Sequence, residues 1–367
     1  MTRNSVVWMK EEIVQKYLSQ GKLLTPSALA ALTKGQPDYV SGQFIVDEKA
    51  EKPHQERFRV LKNITSIKKE ITQDDFIRFF RSKYENTKDI LITRLQKPFV
   101  SINKLSSFRD EVYIICIVRS AKESDGKKIL EVEDMTGSIS AVFGDDVDVS
   151  VGDVVAIRGI SSKNVLFGKQ IIYPDVPLRP PKIGTGKACF ASGLMIHESP
   201  EADVRKFFSW FEGQDIKYLI IAGDVGDLNK FEKFVDEYCR QKTVIFTPGE
   251  KDAGNYPRLP VKFAGNNIIS LSDPAIVEIN GLNVLLIHEF DVEMLKKRYL
   301  GNSRAVLDED CFVLDHVPDI VCFGHSTGSQ ITNYKSVTIV TSGSLLAEFR
   351  PVVIDFETRE AIKATVQ

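Results

Sequence analysis

The chain has 367 residues, more than one ordinary hydrophobic core accommodates, so two or three domains are expected. Hydrophobic residues make up 43% and charged residues 27%, which excludes a disordered or fibrous chain. The formal net charge of −2 excludes a whole-protein electrostatic grip on nucleic acid, so any such binding has to come from a local patch.

The first element in chain order is a small helical module. Residues 6–33 carry Ile13, Val14, Tyr17 and Leu18 at helical spacing. Gly21 is placed to end a first short helix, and Thr25-Pro26 to cap and open a second. The polar run 47–57, "DEKAEKPHQER", reads as a linker. A further helix is predicted from the cap Thr72, with Phe76, Phe79 and Phe80 on one side and a domain boundary near residue 87.

From 88 to 178 short apolar runs alternate with turn signals such as Asp125-Gly126 and Thr136-Gly137. Strands with turns every eight to twelve residues predict a small barrel, and their order resembles an OB-fold. Its segment "EVEDMTGSISAVFGDDVDVS" is acidic, which favours a protein-binding barrel over a single-strand groove. The Pro-rich "VPLRPPKIG", 176–184, closes this domain. From 188 onward strands and helices alternate: "KACFASGLMI", "EADVRKFFSWFEG", "IKYLIIAGD", "NKFEKFVDEYCRQK", "TVIFTPG" and then a series of strands. The predicted division is 1–87, N-terminal helical module and linker; 88–182, OB-fold domain; and 183–367, an α/β domain.

Five cysteines without a CxxC pair point to free thiols in a reducing compartment, with Cys116, Cys239 and Cys322 as core filler. No apolar run is long enough for a membrane span, and the N-terminus has no signal-peptide core, so a cytoplasmic protein is expected.

In open α/β sheets ligands sit where strands end, so the strand tips carry the functional reading. They are 190–199, 221–227, 246–252, 285–291 and 322–328, and four of the five place a His or a carboxylate at the edge. The stretch "FTPGEKDA", 246–253, is the most informative. With "EMLKKRYL", "VPDIVCFGHS" and "YKSVTIVTSGS" following in order, the α/β domain resembles the calcineurin-like metallophosphoesterases. Within them it is most similar to the small subunit of archaeal family D DNA polymerase and to the B-subunits of eukaryotic replicative polymerases. The order of helical module, barrel and phosphoesterase domain matches as well.

The resemblance implies a calcineurin-like α/β sandwich and, in active members, a pair of divalent ions. Residue by residue, the implied ligands are only partly present. The first motif, Asp-x-His in active members, falls on Gly193 and Met195, which bind no such cation. Asp224 stands at the bridging position, with Asp227 as a neighbouring acid. The Asn-His motif falls on Glu250 and Lys251, a ligand His is kept as His288, and the final Gly-His-x-His reads Gly324-His325-Ser326-Thr327. His197 and Glu198 lie three to five residues beyond the first strand tip, out of register with the site.

The expectation is a remnant site of Asp224, Glu250, His288 and His325 without a resident cofactor; the alternative is a divalent cation such as manganese held there. The implied role is an accessory, structural subunit of a replicative DNA polymerase. It would bind the large catalytic subunit, mainly through 188–367, and meet DNA only through the complex. An active 3′–5′ exonuclease subunit and a stand-alone regulatory protein are the competing readings.

Overall fold

A computed structural model describes residues 13–19, 23–24, 29, 39–41, 45–48, 57–67, 72–105, 109–144, 147–162, 164–265, 267–301 and 310–366. The chain divides into two units, Met1–Glu56 and Arg57–Gln367.

In the first unit residues 13–18 are helical, with Tyr17 buried, as the periodicity predicts. The module is not purely helical, however. Strands β1 (Leu23–Leu24), β2 (Tyr39–Ser41) and β3 (Ile45–Glu48) form a small sheet in the order β1-β3-β2. These runs of two to four residues are too short to carry a legible alternation. Gly21, Thr25 and Pro26 lie outside the described residues.

In the second unit the predicted boundary at 87 falls inside a helix, α1 (Gln73–Leu95). Its start follows the sequence: Thr72 and Asp75 form a reciprocal capping box. It runs past 87 because Tyr84, Thr87 and Leu91 continue one buried stripe, which packs on Ile115, Val154 and Ala156. Gln96, in the left-handed conformation at φ 48°, ends it two residues before Pro98.

The predicted barrel is present. β5 (Glu111–Ser124), β6 (Lys127–Asp134), β7 (Gly137–Phe143), β8 (Val154–Ser162) and β9 (Val165–Ile172) close in the order β5-β6-β7-β9-β8. Closure leaves no free strand edge, and Ile114, Cys116, Leu130, Val132, Val155 and Leu166 fill the interior.

The α/β part is a sandwich of two six-stranded sheets. The first contains β10 (Lys187–Ala191), β11 (Tyr218–Ala222), β12 (Thr243–Thr247), β13 (Ile268–Ser270), β19 (Val352–Asp355) and β20 (Ala361–Lys363), in the order β13-β12-β11-β10-β19-β20. The second contains β4 (Phe58–Asn63), β14 (Ala275–Ile279), β15 (Leu282–Ile287), β16 (Ile320–Phe323), β17 (Gly328–Tyr334) and β18 (Val337–Gly343), in the order β17-β18-β16-β15-β14-β4. β4 corrects the expected division: it comes from the segment assigned to the N-terminal module, yet pairs with β14 as an edge strand of this sheet. Only the long-range pairing reveals that membership.

Every residue of β11 and β18 is buried, because each strand is covered on both faces. The inner faces share one core, including Phe190, Ile220, Val284, Leu286 and Val340. Over the outer face of the first sheet lie α2 (Glu201–Glu212) and α3 (Leu228–Tyr238), whose Phe207, Phe208, Phe211 and Phe231 are fully buried. Each such ring contributes about 2–3 kcal/mol of burial. A short helix, α4 (Val292–Lys297), follows β15.

β10–β13 are parallel, and so are β15, β16 and β18. The tips of β11, β15 and β16 deliver the residues of the candidate site.

Candidate functional site

Three of the predicted residues converge. Asp224 follows β11, His288 follows β15 and His325 follows β16, and one ligand atom from each lies within 4.8 Å of the others. Asp224 and His325 are held in the left-handed region, at φ 56° and 43°. A non-glycine residue adopts that conformation at a cost of about 1–2 kcal/mol, so the tertiary frame around each tip imposes it. The His288 Nε2 atom lies 3.5 Å from Asp224 Oδ2, and the two imidazoles meet edge to face at 5.4 Å.

His288 is fully buried, and neither ring nitrogen has a hydrogen-bond partner. Burial lowers its pKa, with Asp224 opposing the shift and Arg258 and His325 adding to it. The ring is enclosed by backbone. A Cβ on Gly324 would lie 2.2 Å from the Ala222 carbonyl oxygen and 2.7 Å from His288 Nδ1, so only glycine permits the two sheets to meet there. The Nδ1 side is thus closed, and Nε2 alone faces Asp224. Beneath it, the buried Asp273 accepts the His288 backbone N–H at 2.9 Å and pairs with the buried Arg258 at 2.6 Å. Burial raises the Asp273 carboxyl to about 6, against the opposing pull of the His288 N–H and Arg258.

The loop "GEKDA" is built around Asp252, the acid of its Pro-Gly-x-x-Asp-Ala frame. Asp252 accepts the Gly226 N–H with one oxygen and the Gly249 N–H with the other, both at 2.8 Å. It ties the β12 loop to the β11 loop. Burial raises its pKa, and the two N–H groups pull it back. Gly249 is needed for the same contact, because a Cβ there would lie 2.4 Å from Asp224 Oδ1.

Glu250 does not join the cluster, which corrects its expected place as a substitute ligand. It is exposed, and it is the Lys251 backbone N–H that reaches Asp224 Oδ1, at 3.0 Å. The Lys251 side chain is exposed as well, so the loop meets Asp224 through its backbone. Gly193 and Met195 act through backbone too: their N–H groups donate to the carbonyls of Gly223 and Asp224 at 3.0 Å. Thr327 is exposed, and its carbonyl accepts the Glu348 N–H at 3.1 Å. Asp227 is the N-cap of α3, accepting the Lys230 N–H at 3.0 Å. His197 packs on Gly226 and pairs with Glu198 at 2.8 Å, outside the cluster.

Two-ion phosphoester chemistry needs ligands on both sides of a bridging carboxylate. The arrangement offers one imidazole nitrogen, one carboxylate and one exposed imidazole, with non-ligand residues at the remaining strand tips. It fits at most one divalent cation, held by Asp224, His288 Nε2 and His325.

Residues 196–358 match the calcineurin-like phosphoesterase superfamily domain. Over most of its length the chain is similar to curated proteins named DNA polymerase II small subunit. That of Methanothermobacter thermautotrophicus is 25% identical, over 75% of this chain and 73% of its own. That of Thermoplasma acidophilum is 24% identical, over 91% of this chain and 86% of its own. The chain is thus similar, over most of its length, to archaeal DNA polymerase small subunits, and it carries a calcineurin-like phosphoesterase domain.

Among solved structures, Vacuolar Protein Sorting 29 from Cryptosporidium parvum overlays at a TM-score of 0.32 and 15% identity, covering 50% of this chain and 88% of that one. In this chain the phosphoesterase domain carries Asp224, His288 and His325 at strand tips that offer no further clustered ligand among the described residues. Among the described residues no helix is long and apolar enough to cross a membrane.

Proposed function

We propose that the chain is an accessory subunit that scaffolds the large catalytic subunit of a replicative DNA polymerase, and that its phosphoesterase site no longer hydrolyses phosphodiesters. The observation that carries this reading is the state of the strand tips. Asp252, Gly249 and the Gly193–Gly223 and Met195–Asp224 backbone contacts keep the loops in place, while Gly193, Met195, Lys251 and Thr327 contribute no ligand. A frame kept without its chemistry fits a domain retained for its surface. The closed five-stranded barrel is read as an OB-fold that serves protein contacts, with DNA met only through the complex. The site holds no resident cofactor in this reading, and the complex acts in the cytoplasm.

The surviving Asp224–His288–His325 cluster supports a narrower second reading: one manganese-like ion bound there, with a residual 3′–5′ exonuclease activity. Such an ion would act as a Lewis acid toward a phosphoryl oxygen.

Co-expression of the tagged full chain with the large polymerase subunit tests the main reading. Stoichiometric copurification, without 3′-end release from single-stranded DNA in manganese, is expected. Failure of the two chains to associate overturns the scaffold role, and metal-dependent release abolished by Asp224→Ala favours the exonuclease.

A further inference from the structure

Five of the fourteen exposed large apolar side chains among the described residues converge on one cleft. On α1, Phe76, Ile77 and Phe80 are 46%, 52% and 50% exposed, although Phe79 between them is buried. Opposite them stand Met135, at the tip of the β6–β7 turn, and Val151, before β8, which are 48% and 60% exposed. These five side chains line a cleft of about 630 Å³ between helix and barrel, floored by Ile117 and Val118. Exposed apolar residues scattered singly are ordinary, but five converging on one cleft mark a binding surface.

The backbone around the cleft restricts how a partner can bind. The barrel is closed, so it presents no unpaired strand edge, and an extended peptide cannot add to it by main-chain hydrogen bonds. Recognition has to run through side chains inserted between α1 and the two turns. That is how an amphipathic helix binds, with anchors three and four residues apart.

The charges at the rim give the partner its sign. Arg119 is tied to Glu133 at 2.7 Å. Asp134 accepts N–H groups from Ile102, Thr136 and Gly137. Arg78 sits 3.8 Å from Asp75. Arg81 lines the cleft and makes no ion pair among the described residues, so the complementary group on the partner is a carboxylate.

We infer that this cleft docks an amphipathic, acidic helix of the large polymerase subunit, an assignment that rests on the scaffold role above and adds a contact outside the phosphoesterase domain. Single-stranded nucleic acid is disfavoured as occupant, since aliphatic side chains share the lining with the aromatics and, of its two arginines, only Arg81 makes no ion pair among the described residues, too little positive charge for a backbone-tracking groove.

The test compares the full-length wild type with Ile77→Asp, Phe80→Ala and Arg81→Glu for affinity to the large subunit. Thermal unfolding of each variant checks that it is folded, which the exposure of all three positions favours. Buried-anchor losses at interfaces commonly exceed tenfold, so Ile77→Asp and Phe80→Ala are expected to weaken association by about tenfold or more, and Arg81→Glu by a few fold. An environment-sensitive dye on Val151→Cys should shift to the blue when the large subunit binds. If the wild type binds and all three folded variants bind within twofold of it, with no dye shift, the cleft assignment is wrong while the scaffold role stands. If the wild type does not bind, the scaffold role fails first. If the variants instead lose binding to a fluorescent oligothymidine and keep the large subunit, the cleft is a nucleic-acid surface and the inference is overturned.

Discussion

Asp252→Ala is the sharpest perturbation of the remnant site. The substitution removes the acceptor of two backbone donors, Gly226 N–H and Gly249 N–H, each at 2.8 Å. The glycine donors are left without their protein partner in a partly buried loop. An unsatisfied donor of this kind costs about 1–2 kcal/mol, so the pair amounts to roughly 3 kcal/mol. For a domain of this size each kcal/mol moves Tm by about 2–4 °C, giving a drop on the order of 6–12 °C. Glu250→Ala and Lys251→Ala touch exposed side chains and should stay within about 0.5 kcal/mol of wild type. Asp252→Asn keeps one carbonyl acceptor and should fall between. Thermal unfolding of the full chain followed by near-ultraviolet circular dichroism, which reports the aromatic core, measures all four. The reasoning fails if Asp252→Ala unfolds within 2 °C of wild type, or if Glu250→Ala is the more damaging change.

The remaining predictions concern metal, activity and pH. Dialysis against manganese followed by elemental analysis should find no more than one ion per chain; two tightly held ions would show that further ligands complete the site. Release of 3′ ends from single-stranded DNA should be absent for the wild type and unchanged by His288→Ala, whereas manganese-dependent release lost in that variant refutes an inactive site. Asp273 has a folded-state pKa of about 6, above the unfolded value. Its protonated form is therefore favoured by folding, so the contribution is full below about pH 4 and is lost as pH rises through 6. Wild type minus Asp273→Asn stability should decline between pH 4 and 6.5 by about 1–3 kcal/mol, and a flat difference across that range refutes the assignment.

Much of the scaffold was legible along the chain because its signals are local. Thr72 announces the start of α1, the turn pairs Asp125-Gly126 and Thr136-Gly137 punctuate the barrel, and the apolar runs before Asp224, His288 and His325 are the buried strands β11, β15 and β16. The family resemblance singled out those three residues, together with Glu250. What depended on tertiary structure involves partners far apart in sequence. β4 joins β14 across more than two hundred residues, and α1 continues past 87 because the barrel supplies the far side of its buried stripe. Glu250 could be read as a ligand from its letter and place, since a carboxylate is a chemically adequate donor. The turn around Gly249 decides otherwise, bringing the Lys251 backbone to Asp224 and leaving the Glu250 side chain in solvent. Asp252 shows the same division. Its acidic side chain is visible in the sequence, but that it joins two loops follows only from where β11 and β12 end, because hydrogen bonds are set by position in space and not by spacing along the chain.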